Sequence, residues 1–272
     1  MPIVPGTHVV YTVRPGDSLY TIANELGASL PELIESNALY PPITEPSLIY
    51  PGEVLLVRLP GMSEQSAVLY EVNPGDTLYR IAKRFSAGVD MMAALNQLEQ
   101  PDVLQAGRLL YVPAFVYEVE QGDSLYRISR KFGISLDELL NANKERPGLS
   151  LDVVYPGFRL AVPLPSSTNI LVTEPLPGSA IAPGDRVKGR ARAFEATVLY
   201  QLRDASGRVV GAERFVTASE GGPAFGFFDA PLYYDQAPSE PTGTLMVYTR
   251  SANDGSIQDL VEISVTFKDL SR

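Results

Sequence analysis

One cassette of ten residues occurs three times within the first 165 residues, and it constrains the fold more than any other feature. Each copy begins with Tyr-x-Val, turns at Gly-Asp, and continues through Ser or Thr into Leu-Tyr. The copies span residues 11–20, 70–79 and 117–126. An Asn follows the Asp of each copy by 20 residues, at Asn37, Asn96 and Asn143. Because the cassette recurs at this spacing, each copy must belong to one structural unit; we call these units repeats one, two and three.

The residues of each repeat predict a β-α-α-β unit. Tyr-x-Val indicates a short strand, and the Gly-containing turn ends it. Counting from the Asp, apolar residues at +2, +5, +6 and +9 form one helical stripe, broken only by Ser129. The Asp or the next residue supplies the N-cap. Ser29-x-x-Glu32 and Ser135-x-x-Glu138 match capping boxes for a second helix, where repeat two has only Gly88. A closing apolar run predicts a strand that pairs with the first.

Composition limits the partners of the chain. Its net charge is −10 over 272 residues, which disfavours nucleic acid and anionic membranes, since both are bound by basic surfaces. It contains no run of 18 apolar residues, so we expect no membrane insertion. The N-terminal residues lack the basic and apolar regions of a signal peptide. We therefore expect either a removed leader or another route to the target.

The residue types present also limit the chemistry. The chain has no cysteine, and His8 is its only histidine, for which we expect a structural or solvent role. This rules out disulfides, Cys–His peptidases, thiolate metal sites and multi-histidine zinc sites. Composition leaves open a paired-carboxylate glycosidase, but nothing in the sequence places two carboxylates in one cleft. We predict no catalytic residue, no metal site and no cofactor.

The three repeats resemble the LysM family over residues 8–163. The resemblance rests on Pro-Gly-Asp-[Ser/Thr]-Leu-Tyr-x-Ile-Ala, on the Asn that follows, and on Tyr-Pro-Gly before the last strand. Repeat three departs from this pattern at Gln121, repeat two at Ala106, and repeat one at Arg58. The resemblance implies LysM modules at 8–60, 68–114 and 115–164. It also implies that they bind N-acetylglucosamine-containing glycan, either peptidoglycan or a chitin-type oligosaccharide.

The resemblance further implies a groove between the loop entering the first helix and the loop leaving the second. Carried over by position, the first wall comprises Gly16, Asp17, Ser18, Leu19, Gly75, Asp76, Thr77, Leu78, Gly122, Asp123, Ser124 and Leu125. The second wall comprises Ser47, Leu48, Ile49, Tyr50, Asp102, Val103, Leu104, Gln105, Asp152, Val153, Val154 and Tyr155. Loop backbone groups suit an acetamide, and an apolar floor suits its methyl group and the C–H face of a sugar.

Several of these residues also have structural interpretations. We expect the first-wall aspartates to act mainly in the turn and cap, and the leucines to serve both the core and the groove floor. The Asn of each repeat is expected to anchor a loop. For three further residues, packing and sugar contact are equally open: Tyr20, Tyr79 and Tyr126.

The repeats are not expected to be equivalent. The interval from the Asn to the closing Gly is 15, 11 and 14 residues in repeats one, two and three, so the second wall varies in length. The net charges are −4, −1 and −1, from which we predict that repeats two and three bind an acidic wall better. The short joint at 113–116 predicts a near-fixed angle between repeats two and three. The longer Gly- and Ser-containing stretch at 59–69 predicts that repeat one swings freely.

Beyond a linker at 163–169 the pattern changes to seven short alternating runs. With hairpin signals at Asp204–Gly207 and Asn253–Gly255, they predict a seven-stranded antiparallel β-sandwich at 168–272. Val172-Thr173-Glu174-Pro175, Val187-x-Gly189 and Phe194-Glu195-Ala196 resemble the immunoglobulin-like domain of bacterial spore-germination proteins. The resemblance implies the cell wall or spore envelope of a spore-forming bacterium. We expect Phe194 to lie in the core and Glu195 at a turn or edge.

Two functions fit these observations. The first is noncatalytic glycan binding, in which the repeats tether the C-terminal domain to cell wall or spore envelope. Repetition favours it, because linked weak sites gain avidity on a repetitive polymer. The second is a protein-interaction scaffold of the spore coat or envelope with little glycan affinity, in which the sandwich binds an envelope protein.

Overall fold

The computed structural model describes residues 2–41, 43–44 and 48–268. These residues form two compact units. The N-terminal unit comprises Pro2–Arg130 and Ser135–Pro163, and the C-terminal unit continues from Leu164 and includes Lys131–Ile134. Within the described residues, every helix is too short or too polar to span a bilayer.

Each repeat has the predicted order of strand, helix, helix and strand, which gives six α-helices among the described residues. Repeat one contains β1 (Thr7–Thr12), α1 (Leu19–Glu25), α2 (Leu30–Ser36) and β2 (Val54–Leu59). Repeat two contains β3 (Ala67–Glu71), α3 (Leu78–Arg84), α4 (Val89–Leu95) and β4 (Leu109–Val112). Repeat three contains β5 (Ala114–Glu118), α5 (Leu125–Phe132), α6 (Leu136–Ala142) and β6 (Arg159–Pro163).

The first helix of each repeat is capped by the hydroxyl residue rather than by the Asp. The side-chain oxygens of Ser18, Thr77 and Ser124 accept from the backbone N–H three residues on, at 3.1, 3.3 and 3.2 Å. These bonds satisfy amide groups that the helix itself leaves unpaired.

The second helices follow the capping predictions with one exception. Ser135 and Glu138 form the reciprocal capping box, and Gly88 offers no side-chain cap. Ser29 accepts from the Glu32 N–H at 3.4 Å, but the Glu32 carboxylate does not return the bond. It pairs instead with Arg159 of repeat three at 2.5 Å, so a tertiary ion pair replaces the local hydrogen bond of the capping box.

The recurring Asn joins the second helix to the last strand of its repeat. Asn143 Nδ2 donates to the carbonyls of Leu139 and Ala161 at 2.8 and 2.7 Å, and Asn143 Oδ1 accepts from the Ala161 N–H at 2.9 Å. Asn37 and Asn96 make the equivalent bonds. Each Asn side chain therefore pairs with one strand residue through both of its backbone groups, and the predicted anchoring role is confirmed.

Repeats one and two share a sheet, so the prediction that repeat one swings freely is wrong. The four-stranded sheet has the order β2-β1-β3-β4, and β1 pairs parallel with β3 from Thr7↔Ala67 to Val10↔Tyr70. Repeat three keeps a two-stranded sheet of β5 and β6. The free edge of β5 is partly covered by the N-terminal segment, because the Val4 N–H donates to the Val116 carbonyl at 2.8 Å. Backbone pairing between β1 and β3 thus fixes repeat one relative to repeat two, although the composition of the stretch at 59–69 predicted a flexible connection.

Two arginines fasten the repeats together. Arg146 of repeat three is 6% exposed; it donates to Asn37 Oδ1 at 2.8 Å, to Asn143 Oδ1 at 3.2 Å and to the Arg159 carbonyl. Arg84 of repeat two, 7% exposed, donates to the Lys144 carbonyl at 3.0 Å. One apolar cluster spans the same junction, with members from all three repeats: Val10, Leu56, Leu78, Phe85, Val116, Ala142 and Ala161.

His8 is fully buried in β1, which makes the N-terminal unit sensitive to acid. Its Nδ1 lies 3.2 Å from the Gly6 carbonyl oxygen. Burial lowers the pKa of His8 from 6.5 to about 4, and the positive charges of Arg159 and Arg58 act in the same direction, against the Gly6 carbonyl and Glu32. As pH falls, His8 is therefore protonated at a higher pH in the unfolded chain than in the folded protein. The stability present above pH 6.5 is lost as pH falls toward 4.

We predict that this single group contributes about 2 to 3 kcal/mol of pH-dependent unfolding free energy. Denaturant unfolding of the native chain and of His8→Leu at pH 7 and pH 4.5 tests this. The loss between the two pH values should be smaller in the variant, while carboxylates contribute equally to both proteins. An equal loss in both proteins would contradict the assignment.

From Ile170 onward, the C-terminal unit consists mainly of β-strands. They are β7 (Ile170–Glu174), β8 (Ala180–Ile181), β9 (Arg186–Ala191), β10 (Thr197–Asp204), β11 (Val209–Thr217), β12 (Gly226–Pro231), β13 (Thr242–Arg250) and β14 (Ile257–Phe267). One sheet has the order β11-β10-β13-β14-β8, and the other β12-β9-β7. All seven runs predicted as strands form strands, but the described residues of this unit contain eight, so the predicted count of seven is not confirmed. β8 was not predicted, because two residues carry no periodicity; it pairs parallel with β14.

Candidate functional site

The first wall of each repeat is a turn held by a buried tyrosine. Tyr11, Tyr70 and Tyr117 donate their hydroxyls to Asp17, Asp76 and Asp123 at 2.9, 2.9 and 2.6 Å. The same carboxylate oxygen accepts a backbone N–H three residues earlier, at 2.7 to 2.9 Å. These contacts confirm the turn role of the aspartates. We call this arrangement the Tyr–Asp clamp.

Burial and the clamp together raise the pKa values of the three tyrosines. Burial raises the pKa of Tyr70 to about 12; the Asn73 amide opposes this shift, and the negative charge of Asp76 adds to it. The pKa values of Tyr11 and Tyr117 are raised for the same two reasons, burial first and the aspartate second. All three hydroxyls therefore remain protonated donors near neutral pH.

The leucines of the first wall belong to the core. Leu19, Leu78 and Leu125 are each 3% exposed, so their side chains are not available to a ligand. Leu19 shares its apolar cluster with Ile49, and Leu78 shares its cluster with Leu104. One residue from each wall thus enters the same core in repeats one and two.

Both walls of a repeat leave the sheet at the same end. The N–H groups of Gly52, Gly107 and Gly157, which follow the second wall, donate to the carbonyls of Val13, Val72 and Val119 at 2.9, 2.8 and 2.9 Å. Those valines precede the turn of the first wall. The ladder therefore places the two loops beside each other in every repeat.

The second wall exposes apolar side chains in all three repeats. Tyr50 is 57% exposed, Val103 61% and Val153 47%. Leu48 is also exposed, Ile49, Leu104, Val154 and Tyr155 are half-buried, and Asp102, Gln105 and Asp152 are exposed polar residues. Ser47 lies outside the described residues. The pattern presents an apolar surface next to a turn of fixed backbone.

The tyrosines that follow the first wall are also exposed. Tyr20, Tyr79 and Tyr126 are 70%, 63% and 63% exposed, which removes the packing interpretation left open by the sequence. The signal for this was their position off the apolar stripe of the helix, repeated three times. Exposed aromatic rings suit contact with a sugar face.

Repeat one differs from the others at the cap of its first helix. The Ser18 N–H donates to Thr21 Oγ1 at 2.8 Å, which closes a capping box that was not predicted. Arg80 and Arg127 occupy the position of Thr21 in the other repeats and carry no acceptor. The corresponding Thr77 and Ser124 amides therefore lack this internal partner.

The basic residues of repeats two and three are partly structural. Arg84 and Arg146 lie in the junction between the repeats, and Arg159 pairs with Glu32 and with Glu118 at 3.1 Å. The counted charges therefore overstate the positive surface of these repeats. Burial, followed by the nearby charge of Arg84, lowers the pKa of Arg146 to about 9, so its guanidinium stays charged at neutral pH.

A separate cleft of about 330 Å³ lies where the repeats meet. It is lined by Asp76 and Arg80 of repeat two, Gly52 of repeat one, and Lys144 and Glu145 of repeat three, among others. It borders the first wall of repeat two without including residues 102–105 of the second wall. The cleft is thus distinct from the groove predicted within that repeat.

Family models identify both parts of the chain. The LysM domain matches residues 11–58, 70–113 and 117–163, just over half of the sequence. The chain belongs to the LysM family. Residues 169–256 match the immunoglobulin-like domain of bacterial spore germination. Both families are binding modules, and the LysM repeats support binding of N-acetylglucosamine-containing glycan. The architecture expected from the sequence is confirmed.

Proteins similar to this LysM chain are associated with cell walls, spores or secretion. The putative sporulation-specific glycosylase YdhD of Bacillus subtilis is 33% identical over 39% of this chain and 22% of its own length. The secreted LysM effector ECP6 of Passalora fulva is 29% identical over 40% of this chain and 47% of its own. The chain thus spans less than half the length of these curated relatives.

Among solved structures, the spore cortex-lytic enzyme SleL of Bacillus cereus matches 39% of this chain and 22% of its own at 34% identity, with a TM-score of 0.29.

Within the described residues of the LysM chain, His, Asp and Glu side chains form no cluster that would hold a metal ion.

Proposed function

We propose that this chain is a noncatalytic glycan tether. Its LysM repeats bind N-acetylglucosamine-containing glycan of peptidoglycan or a chitin-type polymer and hold the C-terminal domain at the cell wall or spore envelope of a spore-forming bacterium. One observation carries the proposal: in every repeat, exposed apolar side chains of the second wall adjoin a turn whose backbone is fixed by the Tyr–Asp clamp. We propose the two walls, as assigned above, for the binding residues.

We propose that the chain comprises four domains: LysM modules at 8–60, 68–114 and 115–164, and an immunoglobulin-like β-sandwich at 168–272. The sandwich is supported by a single apolar cluster that draws on both C-terminal sheets. Val198 and Leu245 come from the five-stranded sheet, and Val187 and Phe228 from the three-stranded sheet. We propose that this domain presents its outer surface to an envelope protein.

The chemistry of the proposed groove follows from its two walls. Turn amides and carbonyls match the donor and acceptor of an acetamide, and the exposed apolar side chains cover its methyl group and the sugar's C–H face. The Thr77 and Ser124 amides lack the internal partner that Ser18 has in Thr21. We therefore propose that repeats two and three bind more tightly than repeat one, for this reason more than for their charge.

Linkage of the repeats supports the tether. A single shallow groove binds weakly, but sites joined in one body raise the effective concentration for the next contact along a repetitive polymer. β1–β3 pairing and the Arg146 contacts hold the repeats in one compact unit. Little conformational entropy is then lost when a second repeat engages.

Catalysis forms no part of this proposal. The only histidine, His8, is fully buried in β1 and has no access to a bound polymer. The aspartates of the first wall are engaged by their clamp tyrosines and turn amides. Neither arrangement offers the paired acid and base that glycoside hydrolysis requires.

Co-sedimentation of the full chain with insoluble peptidoglycan and with chitin tests the proposal. Cellulose is the matched control, because it has the same β-1,4 glucan backbone without acetamide groups. We expect retention on at least one acetylated polymer that clearly exceeds retention on cellulose, and no increase in reducing ends. Equal retention on cellulose, or none on any polymer, would overturn the proposal and favour the protein scaffold.

A further inference from the structure

The C-terminal unit contains a pocket of about 450 Å³ at one end of its sheets. This volume lies within the range of about 300–1,000 Å³ typical of small-molecule sites. One side is formed by Arg192–Glu195 and Thr197, and the other by residues 249–252 and 258–259 of the β13–β14 hairpin. Asn169 lies between them.

Phe194 lines this pocket and is 74% exposed, so the prediction that it lies in the core is wrong. The reason is the backbone: Glu195 and Ala196 have φ values of +52° and +57°. This double left-handed turn directs Ala196 into the core and leaves Phe194 at the surface. No sequence signal indicates this turn, because neither residue is a glycine.

The conformation of this loop is enforced by its surroundings. The Ala218 N–H donates to the Ala196 carbonyl at 2.8 Å, and the Gly222 N–H donates to the Ala193 carbonyl at 2.9 Å. Consecutive non-glycine residues in the left-handed region are unfavourable, and such strain concentrates at binding sites. The backbone that carries the exposed Phe194 ring is therefore held in place before any ligand arrives.

A polar chain crosses the pocket between its two sides. Arg192 Nε donates to Asn169 Oδ1 at 2.8 Å, and Asn169 Nδ2 donates to Asp259 Oδ2 at 3.0 Å. The Arg192 guanidinium also lies 4.9 Å from the centre of the Phe225 ring. Asp259 has a φ of +52°, at the register shift between β13 and β14. A strained backbone thus occurs on both sides of the pocket.

The charges of the lining residues balance. Arg192 and Arg250 are cationic, and Glu195 and Asp259 are anionic. A pocket without net charge does not select an ion. It suits a neutral ligand that has hydroxyl groups for these polar side chains and a flat apolar face for Phe194.

We propose that this pocket is a second glycan-binding site, in which a neutral pyranose ring stacks on Phe194 and its hydroxyls bond to Glu195, Asp259 and Arg192. Phe215 extends the surface, since it is 70% exposed and pairs across the sheet with Leu199, which lines the pocket. The site gives the C-terminal domain a ligand of its own. It does not depend on glycan binding by the LysM repeats.

A tryptophan reporter can isolate this site in the full chain. The sequence contains no tryptophan, so the fluorescence of Phe194→Trp reports on this pocket alone. Tyr155→Trp, in a second protein, reports on the second wall of repeat three. Both proteins are titrated with N-acetylglucosamine hexamer, with cellohexaose, and with a peptidoglycan stem peptide that carries no sugar.

We expect a saturable change of emission in Phe194→Trp with at least one of the two oligosaccharides. Adding Glu195→Gln or Asp259→Asn should raise the dissociation constant of the sugar about tenfold, through loss of a charge-assisted hydrogen bond. Glu195 is exposed, so the first substitution should leave the unfolding midpoint unchanged. No response to either sugar, or a response to the stem peptide alone, would overturn the proposal. The response of Tyr155→Trp separates this result from failure of the LysM site.

Discussion

Replacing Arg146 with Ala should lower the unfolding free energy of the N-terminal unit by about 3 kcal/mol. The guanidinium bridges repeats one and three through Asn37 and Asn143, and it lies 4.4 Å from the centre of the buried Phe158 ring. Truncation would leave these acceptors with fewer partners and a cavity beside the ring. Both effects destabilise a buried site.

Burial of this charge has an opposing cost. Among the described residues no carboxylate contacts Arg146, and its Nε has no hydrogen-bond partner. We still expect the loss of contacts to dominate, because deleting one member of a buried network leaves its other polar groups desolvated and unpaired. Arg146→Met retains packing on Phe158 without the charge, so it should cost less than Ala.

Scanning calorimetry of the full chain measures these effects, because a change confined to one unit should shift only that unit's transition. Arg130→Ala is the matched control: Arg130 is exposed in the same repeat, and its loss should change stability by no more than about 0.5 kcal/mol. An unchanged midpoint in Arg146→Ala would show that the junction contributes little to stability.

Removing the exposed apolar side chains of all three second walls should weaken binding to polymeric glycan by about a hundredfold. The variant combines Tyr50→Ser, Val103→Ser and Val153→Ser, which leave the net charge unaltered. Each residue is at least 47% exposed, so the core is not disturbed. The effect should exceed that of any single substitution, because linked sites multiply their contributions.

A count-matched control uses exposed apolar residues outside the walls: Met62→Ser, Leu109→Ser and Tyr111→Ser. These residues are 42%, 45% and 45% exposed. Co-sedimentation isotherms on the polymer that retains the native chain compare the two triple variants. Equal weakening by both would assign binding to general surface hydrophobicity and contradict the proposed walls.

Single-wall variants test the ranking of the repeats. Val103→Ser and Val153→Ser should each weaken binding more than Tyr50→Ser, since the Ser18 amide is already engaged by Thr21. The largest effect from Tyr50→Ser would reverse the ranking.

Much of each repeat was predictable because its signals are local. The apolar stripe, the Gly turn and the Ser or Thr cap act within one or two helical turns, and the structure places them as expected. The role of Asn143 was predictable in kind, though its strand partner, Ala161, was not. The proposed groove is predictable only by position.

What the sequence missed involves distant partners or unusual backbone. Arg84 has the spacing of a solvated helix face, yet it is buried against the carbonyl of Lys144 in another repeat. Glu32 matches a capping box, yet its carboxylate pairs with Arg159. Phe194 matches a core residue, yet two left-handed residues after it turn it outward. In each case a tertiary contact or a forced backbone angle outweighed a local preference.

The sequence by itself determined the number of repeats, their β-α-α-β order and the change to short strands after residue 163. Those features follow from periodicity, turns and caps, whose free energies depend on neighbouring residues. Only the tertiary structure decided that β1 pairs with β3, that Arg146 fastens the repeats together, and that Phe194 faces a pocket. These depend on which exposed strand edge, carbonyl or loop is brought alongside by the rest of the chain, and no local pattern encodes that choice.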